Sequence, residues 1–418
     1  MRSGEETIAN RQAALRRDVR DQVYRIFVTR TKSEPLLSSV TRATPVAVLI
    51  LCATPVAHSQ TGELHGQASA WLTASHSVTS EFQPGIRYIP DILLKNELSD
   101  GLDASMELSL NAYGTVQYNR DLPSAYEWNV KPYRAWLRLS TERFETRIGL
   151  QKINFGSASL LRPLMWFDRI DPRDPLQLTD GVYGVLARYY FPNNANIWLW
   201  GLYGNDQTKG WELSPTERNT VEYGGRAQSP LWTGELALSY HHRRADLSPQ
   251  ITPPAGAGGL IAPEDRLGLD GKWNVGIGVW FEAVMIRQDN GILPMKYQRQ
   301  GTIGADYTIA AGNGLYVATE YFRADNPATP FGDAGGAGFS ALSLTYPLGV
   351  VDQISAILYR DWTNRQWYRL ITWQRTFDNW SFYLLGFWNP DNMQIFRTQA
   401  GANSFGGAGI QLMAIFNH

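Results

Sequence analysis

The chain has 418 residues, 18% of them charged, and a formal net charge of −1. That balance excludes a broad electrostatic attraction to nucleic acid. No run approaches eighteen consecutive apolar residues, which excludes a spanning helix, although a mean hydropathy of −0.28 is compatible with strands that show an apolar side chain only at alternate positions.

Residues 1–35 are polar and Arg-rich and read as an upstream extension, with the true start expected downstream, near Val28. Residues 36–59 carry Arg42, the apolar stretch P-V-A-V-L-I-L-C-A-T-P-V, and the small residues Ala57 and Ser59. A positive flank, an apolar core and a small-residue site predict a signal peptide cleaved after Ser59. The only cysteine, Cys52, follows Leu51 rather than a small residue, so lipidation is not expected, and disulfides and thiolate catalysis are excluded from 60–418. Residues 1–59 hold 9 basic and 5 acidic side chains, which leaves 29 against 34 and a net −5 in 60–418.

From Gly62 onward about eighteen short alternating runs follow one another, with sixteen as the alternative count. In Leu102–Gly114 one face carries Leu102, Ala104, Met106, Leu108, Leu110 and Ala112, and the other carries Asp103, Ser105, Glu107, Ser109 and Asn111. Val221, Tyr223 and Ala227 oppose Glu222, Arg226 and Gln228, and Leu267 and Leu269 oppose Arg266 and Asp270. Connectors alternate between tight and long. Tight ones fall near Asp100–Gly101, Ser140–Glu142, Pro192–Asn194, Ser229–Pro230, Asn274–Gly276, Ala311–Asn313, Pro347–Gly349 and Phe377–Asn379; long ones include Gln117–Trp128 and Ile153–Asp180. Aromatic residues gather at both ends of the runs: Trp128, Trp367 and Trp388 at one rim, Trp232, Trp273, Tyr346 and Trp380 at the other. A soluble sandwich explains the alternation but neither the connector rhythm nor two aromatic belts. The predicted fold is therefore all-β: one antiparallel up-and-down transmembrane barrel over 60–418, both termini on one rim.

On that assignment Arg134, Trp136 and Arg138 of one strand face inward, with Tyr133, Ala135, Leu137 and Leu139 outward. The next strand turns Arg143, Glu145, Arg147 and Gln151 inward and Phe144, Thr146, Ile148 and Leu150 outward, and Val182–Tyr190 adds Arg188. The longest connector follows, with Asp168, Arg169, Asp171, Arg173 and Asp174 beside the apolar Leu160, Leu161, Leu164, Met165, Trp166 and Phe167. So apolar a loop is unfavourable in water. It is expected to fold into the lumen, its carboxylates opposite the wall arginines, as a constriction with a transverse field.

A third long loop in the lumen facing wall arginines resembles the general and substrate-specific porins of Gram-negative outer membranes. Eighteen strands are more similar to maltoporin and the alginate exporter than to sixteen-stranded porins. The segments R-I-G-L-Q-K-I-N-F-G and W-F-D-R-I-D-P-R-D-P-L-Q-L-T-D-G-V, with the final F-N-H, also resemble uncharacterised outer-membrane proteins of Bacteroidetes-type bacteria over most of 62–418. The resemblance implies outer-membrane location and contact with outer-membrane lipid, lipopolysaccharide and the barrel assembly machinery. Phe416, third from the end, sits close to the terminal aromatic those barrels use.

Other chemistries have weaker support. Asp168, Asp171, Asp174 and Asp180 lack calcium-loop spacing and alternate with arginines, so no cofactor or metal is expected. His241 and His242 are adjacent in a strand and point to opposite faces. Neither G-x-S-x-G nor H-E-x-x-H occurs, so an enzyme is not expected. Trp198 and Trp200 are expected to meet lipid, and the Pro- and Gly-rich Ser248–Glu264 to form an external loop. The function predicted is passive diffusion of small hydrophilic solutes, with an oligomer compatible. The alternatives are an exporter of an anionic polysaccharide and a non-conducting surface barrel.

Overall fold

The computed structural model describes residues 61–76, 81–120, 122–249, 260–289, 296–390 and 405–418. The extension and signal peptide assigned to 1–59, and most of the Pro- and Gly-rich connector before Glu264, lie outside the described residues. The strands are β1 (Thr61–His76), β2 (Phe82–Ser99), β3 (Leu102–Asn119), β4 (Leu122–Ser140), β5 (Phe144–Gln151), β6 (Val182–Tyr190), β7 (Asn196–Tyr203), β8 (Val221–Leu231) and β9 (Gly234–Asp246). They continue as β10 (Ile261–Asn274), β11 (Gly278–Gln288), β12 (Tyr297–Ile309), β13 (Leu315–Asp325), β14 (Gly336–Pro347), β15 (Asp352–Asp361), β16 (Gln366–Thr376), β17 (Trp380–Trp388) and β18 (Ala408–Asn417).

Each strand pairs antiparallel with its neighbours in sequence, and β1 pairs with β18, so the eighteen-stranded sheet closes into a barrel. The Gly66 N–H donates to the His418 carbonyl at 2.9 Å and the His418 N–H to the Gly66 carbonyl at 3.0 Å. Closure leaves no sheet edge to carry unpaired amides into hydrocarbon. Among the described residues no helix is long and apolar enough to cross a membrane.

The side chains are distributed inversely to those of a soluble domain. Leu238 is 50% exposed while its neighbour Ser239 is 1% exposed. Leu267 and Leu269 of β10 lie on the outside, and Glu264, Arg266 and Asp270 are buried inside. Trp128, Trp367 and Trp388 are exposed at the long-loop rim, and Trp232 and Trp380 at the tight-turn rim. Phe416 packs against Trp380 with ring centroids 4.8 Å apart, which ties the C-terminus into that second belt.

Three local readings are corrected. The stretch Gln117–Trp128 is not a long loop: Gln117 pairs with Ala125 and Val116 with Tyr126, so the hairpin of β3 and β4 projects to a connector of 120–121. The turn read at Ser229–Pro230 sits three residues later, at 232–233, where Trp232 takes φ 55°. The pleat also breaks at Gly149, φ 120°, after which Leu150 and Gln151 are both buried, so Leu150 does not face lipid.

A charge on the outer face has no partner in hydrocarbon. Leu267→Arg should therefore cost about 2–4 kcal/mol in reversible urea unfolding from lipid vesicles. An unchanged midpoint would mean that Leu267 does not meet lipid.

Candidate functional site

The connector 152–181 leaves β5 and runs along the inner faces of strands far across the ring. Two apolar contacts hold it. Ile153, Phe155, Leu164, Trp166 and Phe167 pack on Val182, Leu186, Trp200, Leu202 and Val284. Leu160 and Leu161 pack on Phe322, Phe339, Tyr359 and Tyr368 of β13 to β16, beside Trp211, whose ring stacks on Phe322 at 5.0 Å. Further on, Leu176 packs on Trp71, Met413 and Ile415. Burying side chains of this size stabilises by roughly 1.5–3 kcal/mol each.

Trp198 and Trp200 are part of this contact, which corrects the expectation that they meet lipid. Trp200 is 3% exposed and stacks on Phe155 at 5.7 Å, while Leu199 between them is 60% exposed on the outside. The loop supplies the apolar surface that these indoles cover.

The loop backbone needs acceptors as well as apolar cover. Glu320 of β13 accepts the N–H groups of Ser159, Leu160 and Leu161 at 2.7, 3.0 and 2.5 Å, and the Trp280 indole N–H at 3.0 Å. Glu282 of β11 accepts the N–H groups of Ala158 and Leu164, each at 2.8 Å. Gly156, φ 106°, passes so close to Glu282 that a Cβ would stand 2.4 Å from its Oε1. The Leu161 carbonyl accepts from Thr302 Oγ1 at 2.6 Å. Two wall carboxylates thus bind loop amides rather than a cation, and neither makes an ion pair among the described residues.

Beside the loop, β8 to β10 and the connector 204–220 form a charge-matched block. Lys209 meets Glu222 at 3.0 Å, and Arg226 meets Asp270 at 2.5 Å. Arg243 and Arg266 share Glu212 and Glu264 at 2.6–3.2 Å. His241 accepts from the Trp200 indole on Nδ1 at 3.2 Å, which leaves its proton on Nε2, 3.3 Å from Glu222. His242 turns the other way and meets Asp265 at 2.8 Å. The two histidines are on opposite faces, and among the described residues no group of three potential metal ligands assembles.

The remaining sector, β2 to β6, carries the arginines. Arg134 stacks on Tyr133 at 3.9 Å and donates to the Thr179 carbonyl at 3.1 Å. Tyr133 is the extra residue of a bulge, since Ser109 pairs with Arg134 and Leu110 with Pro132, so it joins Arg134 instead of facing lipid. Arg138 donates to Ser105 at 3.2 Å. Arg147 lies over Trp136 at 4.5 Å and Arg188 over Trp198 at 3.9 Å, and both reach Glu145, at 3.3 and 3.4 Å. Arg143 lies in the exposed turn 141–143, off the strand, so it does not join this wall. Arg87 of β2, which the sequence reading passed over, sits between Trp71 and Tyr113 at 5.6 and 5.2 Å. The alternation of I-R-Y-I placed it inward. Arg87, Arg134 and Arg138 make no ion pair among the described residues.

The loop charges are arranged differently from the expected row of opposed carboxylates. Asp168 pairs with Arg162 at 3.0 Å and Asp171 with Arg173 at 2.8 Å, each inside the loop. Arg169 donates to Thr208, and Arg173 lies over Phe405 at 5.5 Å. A buried carboxylate takes the nearest guanidinium, and the R-x-x-x-x-x-D and D-P-R spacings supply one locally. Asp174 is the exception. It accepts the Leu176 N–H at 2.9 Å, and burial, together with the charge of Asp171, pushes its carboxyl up to about 6 against the pull of Arg87 and Arg173.

No protein-family model matches the chain, and no curated protein matches it. Solved structures do resemble it. OccAB4 of Acinetobacter baumannii superposes with a TM-score of 0.53 at 8% identity, covering 87% of this chain and 100% of that one. OmpT of Vibrio cholerae, an outer membrane protein in a trimer form, gives 0.49 at 10% identity, covering 86% and 100%. An anion-selective porin from Comamonas acidovorans gives 0.45 at 14% identity, covering 86% and 100%. The likeness to OccAB4 is one of fold.

Two outcomes are expected. Glu320→Ala strips three loop amides of their acceptor, at about 1–3 kcal/mol for each unsatisfied group, so a cysteine at Ser159 should become labelled by a bulky thiol reagent that does not reach it in the parent. Asp174 is protonated below about pH 6. A carboxyl raised on folding favours the folded loop at acid pH and loses that contribution as pH rises through 6. Any step in channel conductance between pH 5 and 7 should disappear in Asp174→Asn; a step that survives belongs to another group.

Proposed function

We propose that the chain is an outer-membrane porin-like channel for the passive diffusion of small hydrophilic solutes. In this reading the signal peptide of 36–59 directs export. Long loops face the exterior, and both ends of 60–418 face the periplasm. The observation that carries the proposal is the unequal use of charge inside the barrel. From β8 to β10, Glu212, Glu222, Glu264 and Asp270 match Lys209, Arg226, Arg243 and Arg266 at contact distance. From β2 to β6, Arg147 and Arg188 share Glu145, and Arg87, Arg134 and Arg138 make no ion pair among the described residues. Of these guanidinium groups Arg138, Arg147 and Arg188 are half-buried, so water reaches them, whereas Arg87 and Arg134 are buried.

The loop residues Asp168, Arg169, Asp171, Arg173 and Asp174 narrow this path from the other side, with Asp174 as the group that titrates. Lipid, lipopolysaccharide, the barrel assembly machinery and an oligomeric state belong to the same reading, as does the likeness to Bacteroidetes-type proteins, which rests on the sequence segments alone. An exporter of an anionic polysaccharide suits this interior less well. A moving polyanion is served by unmatched cations around the whole lumen, and here they occupy one sector. The reading is not enzymatic.

Arginine stays charged at any working pH, so the wall potential is permanent. Replacing Arg134 and Arg138 by Ala should move the reversal potential in a salt gradient toward cation preference with the fold intact, because lumen changes tune selectivity more than stability. A conducting barrel whose reversal potential does not move would place both arginines off the path. A parent that does not conduct would favour the non-conducting surface barrel.

A further inference from the structure

Toward the tight-turn rim, two walls of the interior differ in chemistry. β4 to β6 stand across the ring from β14 to β17, since β5 and β15 are ten strands apart one way and eight the other in the closed sheet of eighteen. On the first wall Arg138 and Arg147 are directly paired across β4 and β5. Like charges placed opposite each other destabilise a sheet. Arg147 rests over Trp136 at 4.5 Å and reaches Glu145 at 3.3 Å, and Glu145 also meets Arg188 at 3.4 Å. Arg138 donates to Ser105 at 3.2 Å and makes no ion pair among the described residues. One carboxylate among three half-buried guanidinium groups leaves an excess of positive charge within reach of water.

The facing wall carries no charge. Tyr359 and Tyr368 turn inward onto Leu160 and Leu161 of the loop, as does Ala341 of β14, and Tyr383 packs inward beside Leu176. Alternation from these positions brings two rows of neutral polar side chains to the same face. Thr345, Ser355 and Thr372 are paired in one row, and Gln353, Gln374 and Tyr383 in the next. All six are half-buried. Gln374 donates to Thr376 at 3.0 Å, whereas Thr345, Gln353, Ser355 and Thr372 make no side-chain hydrogen bond to protein among the described residues. Hydroxyl and amide groups both donate and accept, as the hydroxyl groups of a sugar do, so each can replace a water on such a solute.

A solute with one charged end needs cations on one side only. Hydroxyl groups along the rest of it suit a wall of hydroxyls and amides. Glu145, in contact with Arg147 and Arg188, favours a singly charged carboxylate over a doubly charged phosphate. We propose that the preferred solutes are sugars carrying one carboxylate, which meets Arg138 and Arg147 while the hydroxyl groups meet the two neutral rows, together or in turn. The inference rests on the channel reading above and names its substrate class.

The test uses the full barrel in planar bilayers, with block of the ion current by glucuronate, glucose and acetate. Glucuronate should reach half-maximal block at a concentration about tenfold or more below either reference. Arg138→Ala/Arg147→Ala should bring glucuronate to the level of glucose. Gln353→Ala/Gln374→Ala should bring it to the level of acetate. Each comparison is made within one variant, so a poorly folded barrel moves probe and reference alike. A preference for glucuronate that survives both double variants would overturn the two walls as its source. Tighter block by glucose phosphate than by glucuronate would overturn the assignment to a carboxylate. A barrel that conducts but treats glucuronate as it treats acetate overturns the inference and leaves the channel reading standing, whereas a barrel that passes no ion current overturns the channel reading itself.

Discussion

A connector that carries Leu160 through Phe167 cannot rest in water, and much of the barrel interior is arranged around that constraint. Apolar cover alone would not be enough, because the same segment brings backbone amides that must be paired. Glu282 and Glu320 provide acceptors where a sheet or helix would otherwise provide carbonyls. Each carboxylate accepts from at least two loop amides. A carboxylate spent on N–H groups is not available to pair with an arginine, so the loop and the charge pattern of the lumen are set by the same residues.

The interior then divides by how its charges are met. Beside the connector 204–220, Lys209, Arg226, Arg243 and Arg266 each contact a carboxylate, and the block is a core made of ion pairs and indoles. Such pairs contribute little net stability compared with apolar packing, but removing one partner is costly. From β4 to β6, guanidinium groups stack on aromatic rings, as Arg147 does on Trp136 and Arg188 on Trp198. Stacking orients a guanidinium without neutralising it. The ladder from Arg87 to Arg188 therefore keeps its charge and is held in place.

The outer face follows the bilayer rather than the lumen. It is apolar at mid-height and aromatic at the rims. Between β13 and β15 the pattern changes: small residues on β14 open a trough lined by Arg323 and Arg365 among others.

The sequence by itself determined the barrel. Period-two alternation, tight connectors and two aromatic belts are local properties, and the paired strands reproduce them, with the turn read at Ser229–Pro230 displaced to 232–233, because a strand in a bilayer has one apolar and one polar face. It also placed Arg134, Arg138, Arg147 and Arg188 inward, since face follows directly from alternation. Alternation failed where the backbone departed from a regular pleat: at Gly149, which buried Leu150, and at the bulge that turned Tyr133 beside Arg134. Other features were decided only by tertiary structure. Trp198 and Trp200 are indistinguishable in sequence from lipid-facing indoles until the loop that covers them is in place. The partners of Asp168 and Asp171 depended on which guanidinium lay nearest in space. Glu320 gave no sign of its role, because its donors lie some 160 positions earlier in the chain, and only closure of the ring brings the two together.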